Sequence, residues 1–168
     1  MKQQGFTLIE LMIVMSLVFT IGHFATETLN STKHWLEPKR LFSAIQAVRN
    51  LAVSNRQFAV LCPSPDSYNC TTDWQLPLIM FIDLNDNKLR DINEQIIQTI
   101  TPYNGVDRSI TYPRTQIRFN PEGEINGYTG TLRYCSNFNS KGIVLSRVGR
   151  IRYLLEVEEN DICDEIVL

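Results

Sequence analysis

Three arginines near the C-terminal end, Arg147, Arg150 and Arg152, stand in the run Ser146-Arg-Val-Gly-Arg-Ile-Arg152 and are the side chains best suited to hold a ligand. A guanidinium meets a phosphate through two parallel hydrogen bonds, and such contacts to a nucleic-acid backbone need no reading of bases. With Val148-Gly149 as a tight turn, Arg147 and Arg150 flank it, and Arg152 shares the outward face with Arg150 at period two. The three charges then cluster, and they fall in the most basic part of the chain. From Gly105 to Tyr153 eight basic residues (Arg108, Arg114, Arg118, Arg133, Lys141, Arg147, Arg150 and Arg152) face three acidic ones (Asp107, Glu122 and Glu124), whereas six acids follow from Glu156 to Glu165. The cluster suits sequence-independent capture of double-stranded DNA. The bland alternative is a solvated strand edge paired with those acids.

Four cysteines, Cys62, Cys70, Cys135 and Cys163, have no C-x-x-C spacing, and the only two histidines, His23 and His34, lie early in the chain. A structural zinc site usually announces itself by a close ligand pair, so the cysteines read as disulfides, which need an oxidising compartment. Of the three pairings, Cys62 with Cys70 and Cys135 with Cys163 is expected. The first closes a short loop containing Pro63 and Pro65, the second ties the acidic tail to the domain, and each stabilises by roughly 2–4 kcal/mol.

Between Asp83 and Glu94, oxygen side chains occupy positions 1, 3, 5, 9 and 12 of a calcium-loop register (Asp83, Asn85, Asn87, Asp91, Glu94). Lys88 stands where the sharp-turn glycine belongs and brings a positive charge beside the ion, and Leu78–Ile82 before it reads as strand, so an Asx-rich hairpin loop is expected and no metal. No Gly-x-Ser-x-Gly, no glycine-rich phosphate loop and no late histidine to activate a nucleophile are present, and Glu122 and Glu124 beside Pro121 and Gly123 read as a solvated turn. The chain is therefore expected not to be an enzyme and to use no cofactor.

These groups need a scaffold. The 168 residues, 43% hydrophobic and 20% charged, suffice for one packed domain, exclude a disordered or low-complexity chain, and carry a net charge of only -2. Between His34 and Arg56 the apolar residues Leu41, Ala44, Ile45, Val48, Leu51 and Ala52 recur at helical spacing, predicting an amphipathic helix whose stripe packs on a sheet. Pro38 either starts this helix anew or kinks a continuous one. After Asn55, short runs separated by Gly, Pro, Asn and Asp predict antiparallel strands over 57–62, 76–84, 95–100, 116–120, 130–134, 142–146 and 150–157. In the last run Ile151, Tyr153, Leu155 and Val157 face inward, and Arg150, Arg152, Leu154 and Glu156 face outward.

The N-terminus is more specific. Phe6 to Ala25 is an apolar run of twenty residues, which as a helix spans about 30 Å, the thickness of a bilayer core. Lys2 keeps the N-terminus in the cytoplasm, and Phe24-Ala25-Thr26-Glu27 is a poor signal-peptidase site, so the segment is expected to be retained. Glu10 interrupts it between Ile9 and Leu11. A carboxylate at membrane depth costs on the order of 2–3 kcal/mol, so it either has a partner or sits in the first helical turn near the headgroups, complementing the helix dipole.

Lys2-Gln-Gln-Gly-Phe-Thr-Leu-Ile-Glu10 resembles the prepilin processing site of type IV pilins and type II secretion pseudopilins. The resemblance implies cleavage by prepilin peptidase between Gly5 and Phe6, methylation of the new Phe6 N-terminus, and pairing of Glu10 with the α-amine of a neighbouring subunit. Many relatives carry a proline in the membrane helix where this chain has Glu27. The order of a long helix, the Cys62-Pro loop, Phe81-x-Asp-x-Asn85, Phe119-Asn-Pro-x-Gly123 and Ser146-x-x-Gly-Arg-x-Arg152 resembles the GspH/FimT-like minor pilins, in whose FimT-like branch the Gly-Arg-x-Arg element is associated with DNA uptake. The implied fold is α+β, a long N-terminal helix packed on an antiparallel head with disulfides. The expected organisation is a leader (1–5), a membrane-spanning and filament-core helix (6–25), its amphipathic continuation (26–56) and a β-rich head (57–168). The implied partners are prepilin peptidase, the inner membrane before assembly, other pilins and double-stranded DNA. The head faces the periplasm and later the cell surface, in a type IV pilus or, alternatively, in the pseudopilus of a type II secretion system without DNA binding.

Overall fold

The computed structural model describes residues 7–103, 108–136 and 139–154, and of residues 22–34 and 139 the backbone alone. Gly5 and Phe6, the leader 1–5, Cys163, the acids Glu156–Glu165 and the end of the last expected strand lie outside the described residues. A single helix, α1 (Leu8–Asn55), runs 48 residues with Pro38 inside it, so the proline neither starts nor ends an element. Its N-terminus is closed by a capping box: the Glu10 amide donates to the Thr7 hydroxyl oxygen, and the Thr7 amide donates to the Glu10 carboxylate at 2.9 Å. Its C-terminus ends at Arg56 in the left-handed region, with both the Arg56 and Gln57 amides donating to the Ala52 carbonyl.

Among the described residues eight strands follow: β1 (Phe58–Pro63), β2 (Leu78–Asp83), β3 (Ile96–Ile100), β4 (Arg108–Thr111), β5 (Ile117–Phe119), β6 (Gly130–Ser136), β7 (Asn139–Leu145) and β8 (Ile151–Leu154). All pairings are antiparallel, as expected, but the strands divide between two four-stranded sheets ordered β3-β2-β1-β5 and β4-β6-β7-β8. Strand β4 was not legible in the sequence. Arg108-Ser-Ile-Thr111 contains one apolar residue, and it becomes a strand because it closes the free edge of β6.

The expected stripe is the core side of α1: Leu41, Ala44, Ile45, Val48 and Ala52 are buried, and Leu51 packs beside them. They meet Leu61, Met80, Ile117, Phe119, Leu132, Ile143 and Leu145 from both sheets. Trp74 closes this core, its indole N–H donating to the Arg114 carbonyl at 2.9 Å and its ring edge-on to Tyr112. At the β8 edge Phe42 meets Tyr153 edge-on at 5.5 Å between centroids, so the helix grips the strand that carries Arg152.

A second, smaller core explains why β1 and β2 read as unbroken apolar runs rather than alternating ones. Val60, Cys62, Ile79 and Phe81 bury the face away from the helix, with Cys70 and Ile96 packed on them. The loop closed by the Cys62–Cys70 disulfide is joined to the β2–β3 loop by Arg90, which donates to the Ser67 and Glu94 carbonyls and stacks on Tyr68. Within the disulfide loop Asp66 accepts from the amides of Asn69 and Tyr68, and these bonds hold its carboxyl below the ordinary range.

Candidate functional site

The turn Ser146–Arg150 joins β7 to β8. Gly149 N–H donates to the Ser146 carbonyl at 2.9 Å, Ser146 N–H donates to the Arg150 carbonyl at 3.1 Å, and Gly149 sits at φ +74°. The turn therefore centres on Arg147-Val148, not on Val148-Gly149, because the freedom of the glycine is used in the left-handed position that follows a type I turn. Arg147 lies within the turn, Arg150 at its exit and Arg152 outward on β8. All three are exposed, and among the described residues their side chains make no hydrogen bond or ion pair. Ile151 and Tyr153 face the helix side as expected, and burial raises the Tyr153 pKa. Whether the acids of 156–165 answer these charges lies outside the described residues.

A second turn of the same build supports the first. In Asn120–Glu124, Gly123 N–H donates to the Asn120 carbonyl at 2.9 Å, Glu124 N–H donates to Asn120 Oδ1 at 2.7 Å, and Gly123 sits at φ +77°. The two turns stack so closely that a Cβ on Gly149 would lie 1.7 Å from the Gly123 oxygen. Arg49 from the helix donates Nε–H to that oxygen at 3.0 Å, and Ile125 N–H donates to the Arg147 carbonyl at 2.9 Å. Arginine presentation thus rests on a backbone-to-backbone contact anchored by the helix.

Several other expected groups find different employment. Arg118 is buried, pairs with Asp83 at 3.0 Å and with Asp86, and lies 3.8 Å over the Phe58 ring. It supplies the positive charge in the loop that resembles a calcium register. Other oxygens of the loop are engaged by the chain: Glu94 accepts from the Leu84 and Asp91 amides, Asp83 Oδ2 from the Lys88 amide, and Asp91 from the Asn85 and Asn87 side chains. Asp86 and Lys88 adopt positive φ. This is the Asx-rich loop expected, and among the described residues no cluster of acids, cysteines or histidines is arranged to hold a metal. Arg108 is also internal, its Nε 3.2 Å from the buried Glu37 carboxylate. Lys141 stacks on Trp35 at 5.5 Å. Of the eight basic residues that make the 105–153 stretch look basic, five remain exposed: Arg114, Arg133, Arg147, Arg150 and Arg152. The Cys62–Cys70 pairing is as expected. Cys135 is buried and disulfide-bonded too, and Cys163, its expected partner, lies outside the described residues.

Sequence reasoning missed the Glu37–Arg108 pair, which ties α1 to β4, and the seat of Arg49 against Gly123. Neither has a local signature, since their partners are 71 and 74 residues away in sequence. Sequence reasoning also missed the capping box, although Thr7-x-x-Glu10 is its local signature, the pattern in which both side chains satisfy the first turn.

At the other end of the molecule, Leu8, Ile9, Leu11–Met15, Leu17–Phe19 and Ile21 are eleven large apolar side chains that are all 54–71% exposed. Among the described residues no helix is long and apolar enough to cross a membrane. The described side chains of this run end at Ile21, after about 22 Å of helical rise, short of the expected Phe6–Ala25 span.

Comparison with known proteins agrees with this anatomy. A profile described as a prokaryotic N-terminal methylation motif matches residues 1–24, and one described as type II transport protein GspH matches residues 39–149. No curated protein matches the sequence. Among solved structures, the fold is similar to the type IV minor pilin FimU of Pseudomonas aeruginosa in two crystal forms. One superposes with a TM-score of 0.56 at 15% identity, covering 78% of this chain and 92% of that one; the other with a TM-score of 0.53 at 16% identity, covering 69% and 88%. With a family profile spanning most of the chain, a methylation motif ahead of it and a pilin fold, the chain belongs to the GspH family of type IV minor pilins and pseudopilins.

Proposed function

We propose that the protein is a minor pilin of a type IV pilus that primes assembly or sits at the tip, and that its head holds double-stranded DNA without sequence preference, as natural transformation requires. The observation that carries the filament role is the helix surface from Leu8 to Ile21, apolar on every side and uncovered by the head, which calls for lipid first and for neighbouring helices afterwards. In this reading prepilin peptidase cuts between Gly5 and Phe6, Phe6 is methylated, and the chain sits in the inner membrane with its head in the periplasm until it enters the filament. Glu10 caps its own helix before assembly and pairs with the α-amine of a neighbouring subunit within the filament, where a buried carboxylate and a buried amine are far less costly together than apart. N-terminal sequencing of the membrane-associated protein should begin at Phe6; a start at Met1 or beyond Ala25 overturns the reading. Glu10→Ala should insert into the membrane at least as well as the natural chain and fail to enter filaments.

The DNA role is supported by Arg147, Arg150 and Arg152, exposed and without an acid partner among the described residues. The full chain in non-ionic detergent should bind a duplex with Kd in the range of about 10⁻⁴ to 10⁻⁶ M, with a log–log salt slope of roughly -2.7 for three phosphate contacts. Arg150→Gln with Arg152→Gln should weaken binding and flatten the slope by about 1.8. The description of the matched family as a type II transport protein favours a second reading, a minor pseudopilin of a secretion system without DNA binding. Absence of any salt-sensitive shift at low ionic strength, together with co-purification of pseudopilins, decides for it.

A further inference from the structure

The DNA reading rests on arginines of one turn and one strand, but a groove beside them has a second wall on the helix. Gln46, Arg49 and Asn50 line it from α1, at positions i, i+3 and i+4 that share one face, and Gly149, Arg150 and Ile151 line it from the head. Arg49 is held in place rather than free to swing. Its Nε–H is spent on the Gly123 oxygen at 3.0 Å, and the same Nε lies 3.0 Å from where a Gly149 side chain would begin. The two terminal nitrogens of Arg49 make no hydrogen bond among the described residues, and neither does the Arg150 side chain. Two guanidiniums and two amide side chains therefore share one groove with no carboxylate in its lining among the described residues. Glu122 and Glu124 sit on the stacked turn, and neither comes within ion-pair distance of Arg49 or Arg150. Like charges held in one groove repel unless an anion lies between them, and the planar, pre-oriented fork of Arg49 matches a phosphate.

We propose that this groove is a seat for one backbone phosphate of double-stranded DNA, in which Arg49, flanked by Gln46 and Asn50, adds a helix-borne contact to those of Arg147, Arg150 and Arg152. The inference rests on the DNA reading above and extends the site across the joint between stalk and head. A phosphate held there touches α1 and the β7–β8 turn at once, so the DNA axis is fixed relative to the helix that sets the filament direction.

The test is fluorescence anisotropy of a labelled 30-base-pair duplex with the full chain in non-ionic detergent, titrated at several salt concentrations. Arg49→Gln should raise Kd about fivefold or more and flatten the log–log salt slope. Because this change also removes the bond to Gly123, Gln46→Glu is the companion. It leaves the Arg49 seat intact, places a carboxylate in the groove from an exposed helix position, and should weaken binding to a similar degree. Arg114→Gln, exposed beyond the opposite edge of the second sheet, removes the same charge as Arg49→Gln and serves as the reference. Binding that survives Arg49→Gln and Gln46→Glu as well as it survives Arg114→Gln, yet falls with Arg150→Gln and Arg152→Gln, overturns the seat and leaves the DNA reading standing. So does a loss with Arg49→Gln that Gln46→Glu does not share. A natural chain that binds no duplex overturns both.

Discussion

The two ends of α1 are both rich in apolar residues and do opposite things. From Leu8 to Ile21 the large side chains point in every direction and all are exposed, whereas from Leu41 to Ala52 the buried ones lie on one stripe that the two sheets cover completely. Total hydrophobicity does not distinguish a surface that awaits partners from one already satisfied; the angular distribution around the helix does. One continuous helix thus passes from a segment that the head leaves uncovered to a segment whose neighbour is the chain's own head, and Pro38 does not interrupt it.

The sharpest way to break this comparison is to place the same charge in each half. Val48→Asp buries an unpaired carboxylate at a position with 0% exposure, should cost more than about 4 kcal/mol, and should leave no cooperative thermal transition in the near-ultraviolet signal of the full chain in detergent. Val14→Asp, at 56% exposure, should leave that transition unchanged and instead impair membrane insertion by about 2.5–3.5 kcal/mol. Equal loss of the head transition in both variants would show that the first half packs on the head after all.

Legibility in the sequence follows the range of the interactions. The stripe Leu41–Ala52, the Cys62–Cys70 loop, the Asx loop after Asp83 and the Gly149 turn are set by neighbours a few residues away, and each was readable from spacing and residue type. Strand β4 was not, because only its pairing with β6 makes Arg108–Thr111 extended. The basic surplus of 105–153 overstated the surface charge for a related reason. Arg108 and Arg118 answer Glu37, Asp83 and Asp86 across the fold, and nothing local marks an arginine as internal. The position of the turn was misjudged by one residue, since a glycine can serve either inside a turn or just after it, and only the hydrogen bonds decide. Within the candidate site the three arginines were legible and their support was not: the Gly123–Gly149 contact and Arg49 depend on two distant turns meeting at the end of the helix.

That support can be weighed by a pair of glycines that share a positive φ and differ in the space around them. Gly149 and Gly127 sit at φ +74° and +79°, but a Cβ on Gly149 meets the Gly123 oxygen at 1.7 Å, whereas one on Gly127 has nothing within 4 Å. Gly127→Ala should cost only the left-handed penalty of about 1–2 kcal/mol. Gly149→Ala adds the separation of the two turns and should cost about 3–4 kcal/mol in all, from the same penalty plus overpacking. Thermal unfolding of both variants measures the difference, and duplex binding should fall for Gly149→Ala alone. Equal destabilisation would mean that the turns part at no cost and that their contact does not position the arginines.

A smaller effect probes the satisfied half of the helix from the sheet side. Tyr134 lies on β6 at 1% exposure, and burial, followed by the negative charge of Glu37, pushes its pKa up to about 12 from an ordinary 10. The folded state therefore favours the neutral phenol. The stability this contributes is fully present below pH 10 and is lost as the pH rises through about 12, up to about 2–3 kcal/mol. Tyr112 and Tyr153 are also raised by burial and titrate in the same direction. Melting temperatures recorded from pH 9 to 12 should fall for the natural chain and fall less steeply for Tyr134→Phe, which cannot ionise. The Leu8–Ile21 segment contains no tyrosine, so membrane insertion should not follow this alkaline loss. An identical pH dependence in the natural chain and Tyr134→Phe would show that the ring is not held between α1 and β6 as the buried stripe requires.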